Sequence, residues 1–204
     1  MNGSRQRGAR RLAGRTWYSG VMAVAILPGP FPLGAIQAPA ADTLPAMIRG
    51  RLEDAAPLVV SGRRLMAERA LTAFYRARDF RPAWIDAGTP PARLEALTVA
   101  IEEAALDGLA PGDYHIEALR SLRDAQSDSA RVGLELLATD AFLVLGSHLL
   151  DGRLDPVRLR ADWRADRRGA DLPAVLTAAL AAGDVPGALD RLRPAQAGYR
   201  ALRA

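Results

Sequence analysis

The stretch ARVGLELLATDAFLVLGSHLLD, residues 130–151, decides the fold. On a helical projection it carries two apolar stripes on opposite sides, one broad and one narrow. The broad stripe holds Leu134, Leu137, Ala138, Ala141, Phe142, Leu145 and Leu149, and the narrow one holds Leu136, Leu143 and Leu150. A helix that is apolar nearly all round lies at the centre of a bundle. Asp140 and His148 interrupt the apolar run, so its unbroken length falls short of the roughly 18 residues that a membrane span needs.

Helical spacing also predicts the elements before this central helix. Residues 44–56 form a first helix that Pro57 stops, and the short apolar run 58–60 is extended chain too isolated to build a sheet. Ser61 is expected to cap a second helix that must end before Pro82. Pro90-Pro91 opens a third helix, which runs to Gly108.

Three shorter helices are predicted after the central one. Asp171 and Pro173 start a helix that Gly183 ends, Asp184 starts the next, and a last amphipathic turn carries Tyr199 and Leu202. Together these segments predict an all-α fold, a single bundle of about seven or eight helices with short connections.

The composition excludes several reaction classes. All 27 basic residues are arginine, and the chain has no cysteine. Schiff-base and Walker-type lysine chemistry is therefore excluded, as are thiol nucleophiles, disulfides and thiolate metal sites.

Residues 1–40 have the order of a secretory signal peptide. Five arginines and no acid precede residue 41, and the apolar run 21–27 is followed by a Pro/Gly-rich stretch and Ala38-Pro39-Ala40. We expect cleavage before Ala41, leaving a mature helical domain at residues 41–204 in the periplasm; an uncleaved membrane anchor is the alternative. Without the leader, 22 arginines face 23 acids, a net charge of about −1. The basic character therefore belongs to the leader, which argues against a nucleic-acid partner, and no membrane span is expected in the mature domain.

The segment LDGLAPGDYH, residues 106–115, offers acids, a phenol and a histidine in ten positions. Each has a local structural interpretation. Asp107 ends a helix, Gly108 suits a left-handed terminal position, and Asp113 stands where the next helix needs a cap. A helix-turn-helix corner with Tyr114 folded onto it is favoured over a catalytic cluster, and His115 is expected to close that corner.

No metal or cofactor site is predicted. His115 and His148 lie 33 residues apart without the spacing of a zinc motif, and His148 is expected to be a hydrogen-bonded core histidine. A carboxylate-dependent glycan hydrolase remains an unfavoured alternative, in which Asp107 and Asp113 would be tested.

Two carboxylate pairs are candidates for the catalytic pair of such a hydrolase, and neither is favoured. Glu102 and Glu103 diverge by about 100° on a helix and cannot face one bond together. Asp140 and Asp151 occupy positions where solvated or capping acids are ordinary.

The stretch FYRARDFRPAW, residues 74–84, is the most distinctive in the chain. Its structural interpretation, which is favoured, is a helix end folded back by Pro82 so that Trp84 packs on the core. Its functional interpretation is a sugar-, peptide- or partner-binding surface. The candidates for such a surface are Tyr75, Arg76, Trp84, Tyr114 and Trp163.

Four motifs in succession resemble a known domain. They are F-Y-x-x-R-x-F-x-P-x-W at 74–84, D-G-L-x-P-x-D-Y-H at 107–115, T-D-A-x-L with G-R-L-D-P at 139–156, and G-D-V-x-x-A-L-x-x-L-x-P with Y-x-x-L at 183–202. Their order resembles the helical scaffold domain of the YcbB-like murein L,D-transpeptidases, over residues 47–202.

The resemblance implies a helical fold, a periplasmic address and a cell-wall setting. In that family a peptidoglycan-binding module and a YkuD-type catalytic domain with a cysteine nucleophile follow the scaffold, and this sequence ends where they would begin. Because the chain has no cysteine, no catalytic position carries over, and we expect a scaffold or interaction domain that is not an enzyme by itself. Its expected partners are peptidoglycan and a catalytic transpeptidase module in the same or a separate chain; a free-standing peptidoglycan or protein binder is the alternative.

Overall fold

The structure is a computed structural model that describes residues 43–54, 56–85, 92–153 and 168–203. The predicted signal peptide, Pro90-Pro91 and Trp163 lie outside these residues. The described residues all belong to one compact unit.

Eight α-helices make up the described part of the chain, together with one small hairpin and two 3₁₀ turns. The helices are α1 (Thr43–Glu53), α2 (Glu68–Arg76), α3 (Ala92–Glu103), α4 (Ile116–Leu122), α5 (Asp128–Asp151), α6 (Leu172–Ala182), α7 (Val185–Leu192) and α8 (Ala197–Arg203). Strands β1 (Val59–Val60) and β2 (Arg63–Arg64) pair antiparallel, and the 3₁₀ turns span Ala104–Asp107 and Pro111–Tyr114. The all-α prediction is confirmed.

Helix α5 is the centre of the bundle, as its two apolar stripes predict. Every residue from Val132 to Gly146 is buried. Helices α1, α2, α3, α4, α6 and α7 all pack against it. By length and composition α5 is the one helix in the described ranges that could cross a membrane, but 89% of its apolar window is buried. The protein's own helices already cover that apolar surface.

Gly146 lets two helices approach α5 closely. A Cβ at this position would lie 3.1 Å from Leu192 Cδ1 and 3.3 Å from Leu172 Cδ2. These leucines belong to α7 and α6, so the absence of a side chain at residue 146 sets how closely both helices pack on the central one.

Several predicted helix ends are confirmed. Gly108 and Gly183 have positive φ angles of 73° and 66° and follow the 3₁₀ turn after α3 and helix α6, where helix ends were predicted; Gly152, with φ 80°, follows α5. The carboxylates of Asp171 and Asp184 accept from the amides of Ala174 and Gly187, which caps α6 and α7 at their N-termini.

The predicted cap at Ser61 is wrong. Ser61 (φ 49°) and Gly62 (φ 73°) form the two-residue turn of the β1–β2 hairpin, and α2 begins only at Glu68. Two consecutive residues with positive φ suit the tight turn of a hairpin. The apolar run 58–60 therefore has a partner strand, although the resulting sheet is minimal.

Candidate interaction site

Three polar residues of α5 lie inside the core. Glu135, Thr139 and Asp140 are each 0% exposed. Buried polar groups need hydrogen-bond partners, so the partners show what these residues do. Because Glu135 and Thr139 are four residues apart, they share one face of the helix.

Glu135 holds the end of the distinctive 74–84 stretch. Its Oε1 accepts from the amides of Trp84 (2.7 Å) and Ile85 (2.7 Å). Its Oε2 accepts from the amide of Ala83 (2.8 Å) and the hydroxyl of Tyr75 (2.8 Å). Burial raises the pKa of Glu135, and these four donors act in the opposite direction. Residues 83–85 are not part of a helix or strand, so the Glu135 carboxylate provides the hydrogen-bond acceptors for their amides.

Thr139 completes this polar cluster. Its Oγ1 accepts from Trp84 Nε1 at 2.9 Å and lies 2.9 Å from the Tyr75 hydroxyl. Burial raises the pKa of Tyr75 well above its usual value, so the phenol remains protonated and able to donate. The structural interpretation of the stretch, with Trp84 folded onto the core, agrees with this geometry.

Asp140 joins three parts of the chain. Its Oδ1 accepts from the amides of Met66 (2.9 Å) and Ala67 (2.7 Å), which immediately precede α2. Its Oδ2 lies 2.8 Å from His115 Nε2. Helix α2 has no side-chain cap of its own, and Asp140 supplies one from α5. The expectation that Asp140 is a solvated or local capping acid is therefore wrong.

The candidate binding aromatics lie mostly inside the core. Tyr75, Trp84 and Tyr114 are 0% exposed, while Arg76 is exposed on α2 and Trp163 lies outside the described residues. The first three cannot form an exposed surface, because their polar atoms and rings are already engaged by α5.

The corner at 106–115 is built differently from its prediction in one respect. Asp113 does not cap α4; its carboxylate pairs with Arg153 at 2.5 Å, and the residue before α4 is His115 with φ 59°. The His115 ring, held by Asp140, closes the corner as expected.

His148 and Tyr114 form the second contact between α5 and the corner. The Tyr114 hydroxyl lies 2.9 Å from His148 Nδ1. Burial is the main cause that lowers the pKa of His148 below 6.5, and burial raises the pKa of Tyr114 to about 12. Tyr114 is therefore a donor to an unprotonated imidazole, which agrees with the expectation of a hydrogen-bonded core histidine.

This arrangement predicts a specific loss of stability in mild acid. As the pH falls below 6.5, the unfolded chain takes up a proton at His148 more readily than the folded chain, so the free energy of unfolding decreases. The slope contributed by this group is at most about 1.4 kcal/mol per pH unit, reduced by solvent screening because the ring is only half-buried. Urea denaturation from pH 7.5 to 5.0 should show a steeper decline in the wild type than in H148N, which keeps an acceptor but does not titrate. Equal slopes would contradict this assignment.

Asp107 is the centre of a buried ion cluster. Its side chain is 1% exposed and accepts from Arg193 Nε at 2.9 Å, Arg203 Nε at 3.0 Å and the Tyr199 hydroxyl at 2.5 Å. Burial, followed by the hydrogen bond to Asp107, raises the pKa of Tyr199 to about 12, so the phenol is a stable donor. Asp107 was expected to have a purely local role at a helix end; it instead ties the corner to the C-terminal helix α8.

Arg168 caps the C-terminal ends of two helices. Its guanidinium donates to the carbonyls of Leu149 and Leu150 at the end of α5, and to those of Leu192 and Arg193 at the end of α7. Carbonyls in a last helical turn lack intrahelical donors and favour a cation nearby. No signal in the sequence distinguished this arginine from its neighbours.

A cleft of about 440 Å³ opens beside the Asp107 cluster. We call it the C-terminal cleft; it is lined by the arginines at positions 191, 193, 200 and 203 together with Asp190, Pro194, Ala195 and Tyr199. Sequence reasoning missed it, because its arginines come from α7, from the residue after α7 and from α8, which meet only in the folded chain.

Three of the acids considered for a glycan hydrolase have structural partners. Asp107 and Asp140 are enclosed by their donors, and Asp113 is in an ion pair with Arg153. Within the described ranges no group of three or more metal-ligating side chains comes together.

The fold and these contacts define an all-helical domain whose acids and phenols hold its segments together. A family model described as "Scaffold domain" matches residues 69–204, and the chain belongs to that family. This agrees with the scaffold domain of L,D-transpeptidases that the order of the motifs resembles. No curated protein and no solved structure matches the chain.

Proposed function

We propose that this chain is an exported, periplasmic scaffold domain of the cell wall that is not catalytic by itself. In this role it serves a transpeptidase catalytic module in the same or a separate chain. Membership of the scaffold family and the order of the four motifs support the proposal.

The internal use of the acids and phenols is the observation that carries the non-catalytic part. A general acid or nucleophile must reach a substrate, whereas Glu135 and Asp140 are 0% exposed and Asp107 is 1% exposed at its side chain. Their oxygens accept from backbone amides, tyrosines, a histidine or arginines of the same chain. Such groups favour a structural role.

A free-standing peptidoglycan or protein binder is the second candidate. The C-terminal cleft favours it, because four guanidinium groups gather around this cleft and two of them are held by Asp107. The two candidates differ in whether a catalytic module is needed for an effect on the wall.

Two measurements test the proposal. The full chain expressed in a Gram-negative host should be recovered from the periplasm, and deletion of residues 2–40 should leave it in the cytoplasm. Muropeptide analysis of sacculi incubated with the purified chain should show no new cross-links and no cleaved glycan. Cytoplasmic recovery of the full chain would contradict the export part, and new cross-links or cleavage products would contradict the non-catalytic part.

A further inference from the structure

The C-terminal cleft has more cationic than anionic groups around it. Four arginines line it, at positions 191, 193, 200 and 203, and Asp190 belongs to the same lining. The acids that pair with them are Asp107, Asp184 and Asp190. The balance of side-chain charge is therefore one positive charge in excess.

The excess charge is located on Arg200. Arg191 pairs with Asp184 at 3.2 Å, Arg193 pairs with both Asp107 and Asp190, and Arg203 pairs with Asp107. Arg200 has no acid partner within the part of the chain that the structure describes. Its planar group offers two parallel N–H donors, the geometry that binds a carboxylate through both oxygens.

Asp107 fixes the walls of the cleft before any ligand arrives. The side chain of Arg193 is 8% exposed and that of Arg203 is 26% exposed, and both are bound to Asp107 through Nε. The Nη groups of Arg203 have no acceptor among the described residues, so they remain available as donors. A site whose cations are already positioned spends less binding energy on ordering them.

The remaining walls suit a small organic group. Pro194, Ala195 and the Tyr199 ring supply apolar surface beside the guanidinium groups. The volume of about 440 Å³ lies in the range of sites for small molecules. A bare inorganic ion would leave this apolar surface unused.

We propose that the C-terminal cleft binds the terminal carboxylate of a short peptide, with Arg200 and Arg203 on the carboxylate and Pro194 and Tyr199 against the preceding residue. The natural ligand rests on the proposed function: in a cell-wall setting it is a peptidoglycan stem peptide. Recognition of the carboxylate by the cleft does not depend on that setting.

The test uses the full purified chain and one pair of matched probes. N-acetyl-D-alanyl-D-alanine carries the carboxylate, and its C-terminal amide has the same shape without the charge. Calorimetric titration should show binding of the acid, at least tenfold weaker binding of the amide, and backbone amide NMR shifts confined to residues 190–203. Tenfold corresponds to about 1.4 kcal/mol, within the range of one charge-assisted contact.

A matched variant pair separates this site from general attraction of anions. R200Q should weaken binding of the acid at least tenfold, and R69Q, which removes an exposed arginine on α2, should leave it unchanged. Circular dichroism should show equal helix content in both. The proposal is overturned by equal loss in R200Q and R69Q, by absence of binding at millimolar acid, or by phosphate that binds as tightly as the acid. None of these results affects export or the non-catalytic role, which the previous experiments measure.

Discussion

Replacing Glu135 with alanine is expected to destabilise the protein by about 3–5 kcal/mol, the range for a buried charged group whose partners are left unsatisfied. The substitution leaves the amides of residues 83–85 and the Tyr75 hydroxyl without their acceptor. It also opens a cavity at a position that is 0% exposed. A loss of this size is a large share of the total stability of a domain of this length.

Two companion variants make the cause of that loss measurable. E135Q keeps one acceptor oxygen but turns an NH₂ group toward amide donors, so we expect it to lose about 2–3 kcal/mol. E103A removes an exposed glutamate from α3 and should change the stability by less than about 0.5 kcal/mol. Urea denaturation monitored by circular dichroism gives all three values. If E135A were no less stable than E103A, Glu135 would not hold residues 83–85.

Replacing Asp107 with alanine is expected to release α8 from the domain. No residue of α8 is buried, and Tyr199 and Arg203 both reach the corner through the Asp107 carboxylate. Without it, Arg193 keeps a buried guanidinium with one partner fewer, which costs about 3 kcal/mol by analogy with broken buried ion pairs. We expect this loss to appear first as local opening at residues 197–203.

The exchange rates of individual backbone amides distinguish this local opening from global unfolding. Amides of α8 should exchange much faster in D107A while those of α5 retain their protection. D113A is the matched control, because the Asp113–Arg153 pair at the same corner is about half exposed and contributes at most about 1 kcal/mol. Unchanged exchange in α8 of D107A would show that other contacts hold this helix.

The sequence predicted those features that depend on local periodicity and turn chemistry. The two apolar stripes of residues 130–151 predicted a central helix, and Val132–Gly146 is buried on all sides. Gly108 and Gly183 were expected to end helices and have the required positive φ. These features are readable because a few neighbouring residues determine them.

Features that depend on distant partners were not readable. Ser61 was expected to cap α2. The carboxylate that accepts from the two amides directly before α2 instead belongs to Asp140, more than 70 residues away. Trp84 was expected on the core, but a surface role for Tyr75 and Trp84 stayed open because nothing local shows that Glu135 and Thr139 are their partners. The sequence shows that an apolar helix contains an acid, but it does not show which distant segment will donate hydrogen bonds to that acid in the packed bundle.

The motifs that indicated the family turn out to contact one another. Asp107 binds Tyr199, His115 meets Asp140, and Trp84 donates to Thr139. Each pair joins two different motifs of the four. The polar residues of the motifs therefore have a structural role in large part: they join the segments of the bundle to one another.

The cap that Asp140 provides for α2 has a consequence for the order of folding. A nine-residue helix is too short to persist in water by itself, and here its N-terminal support comes from a carboxylate far away in the chain. The cost of closing that long loop precedes the reward of the contact. We therefore expect helix α2 to form late, after α5 is in place, so that its segment stays without its N-terminal support in the growing chain until residue 140 has been made.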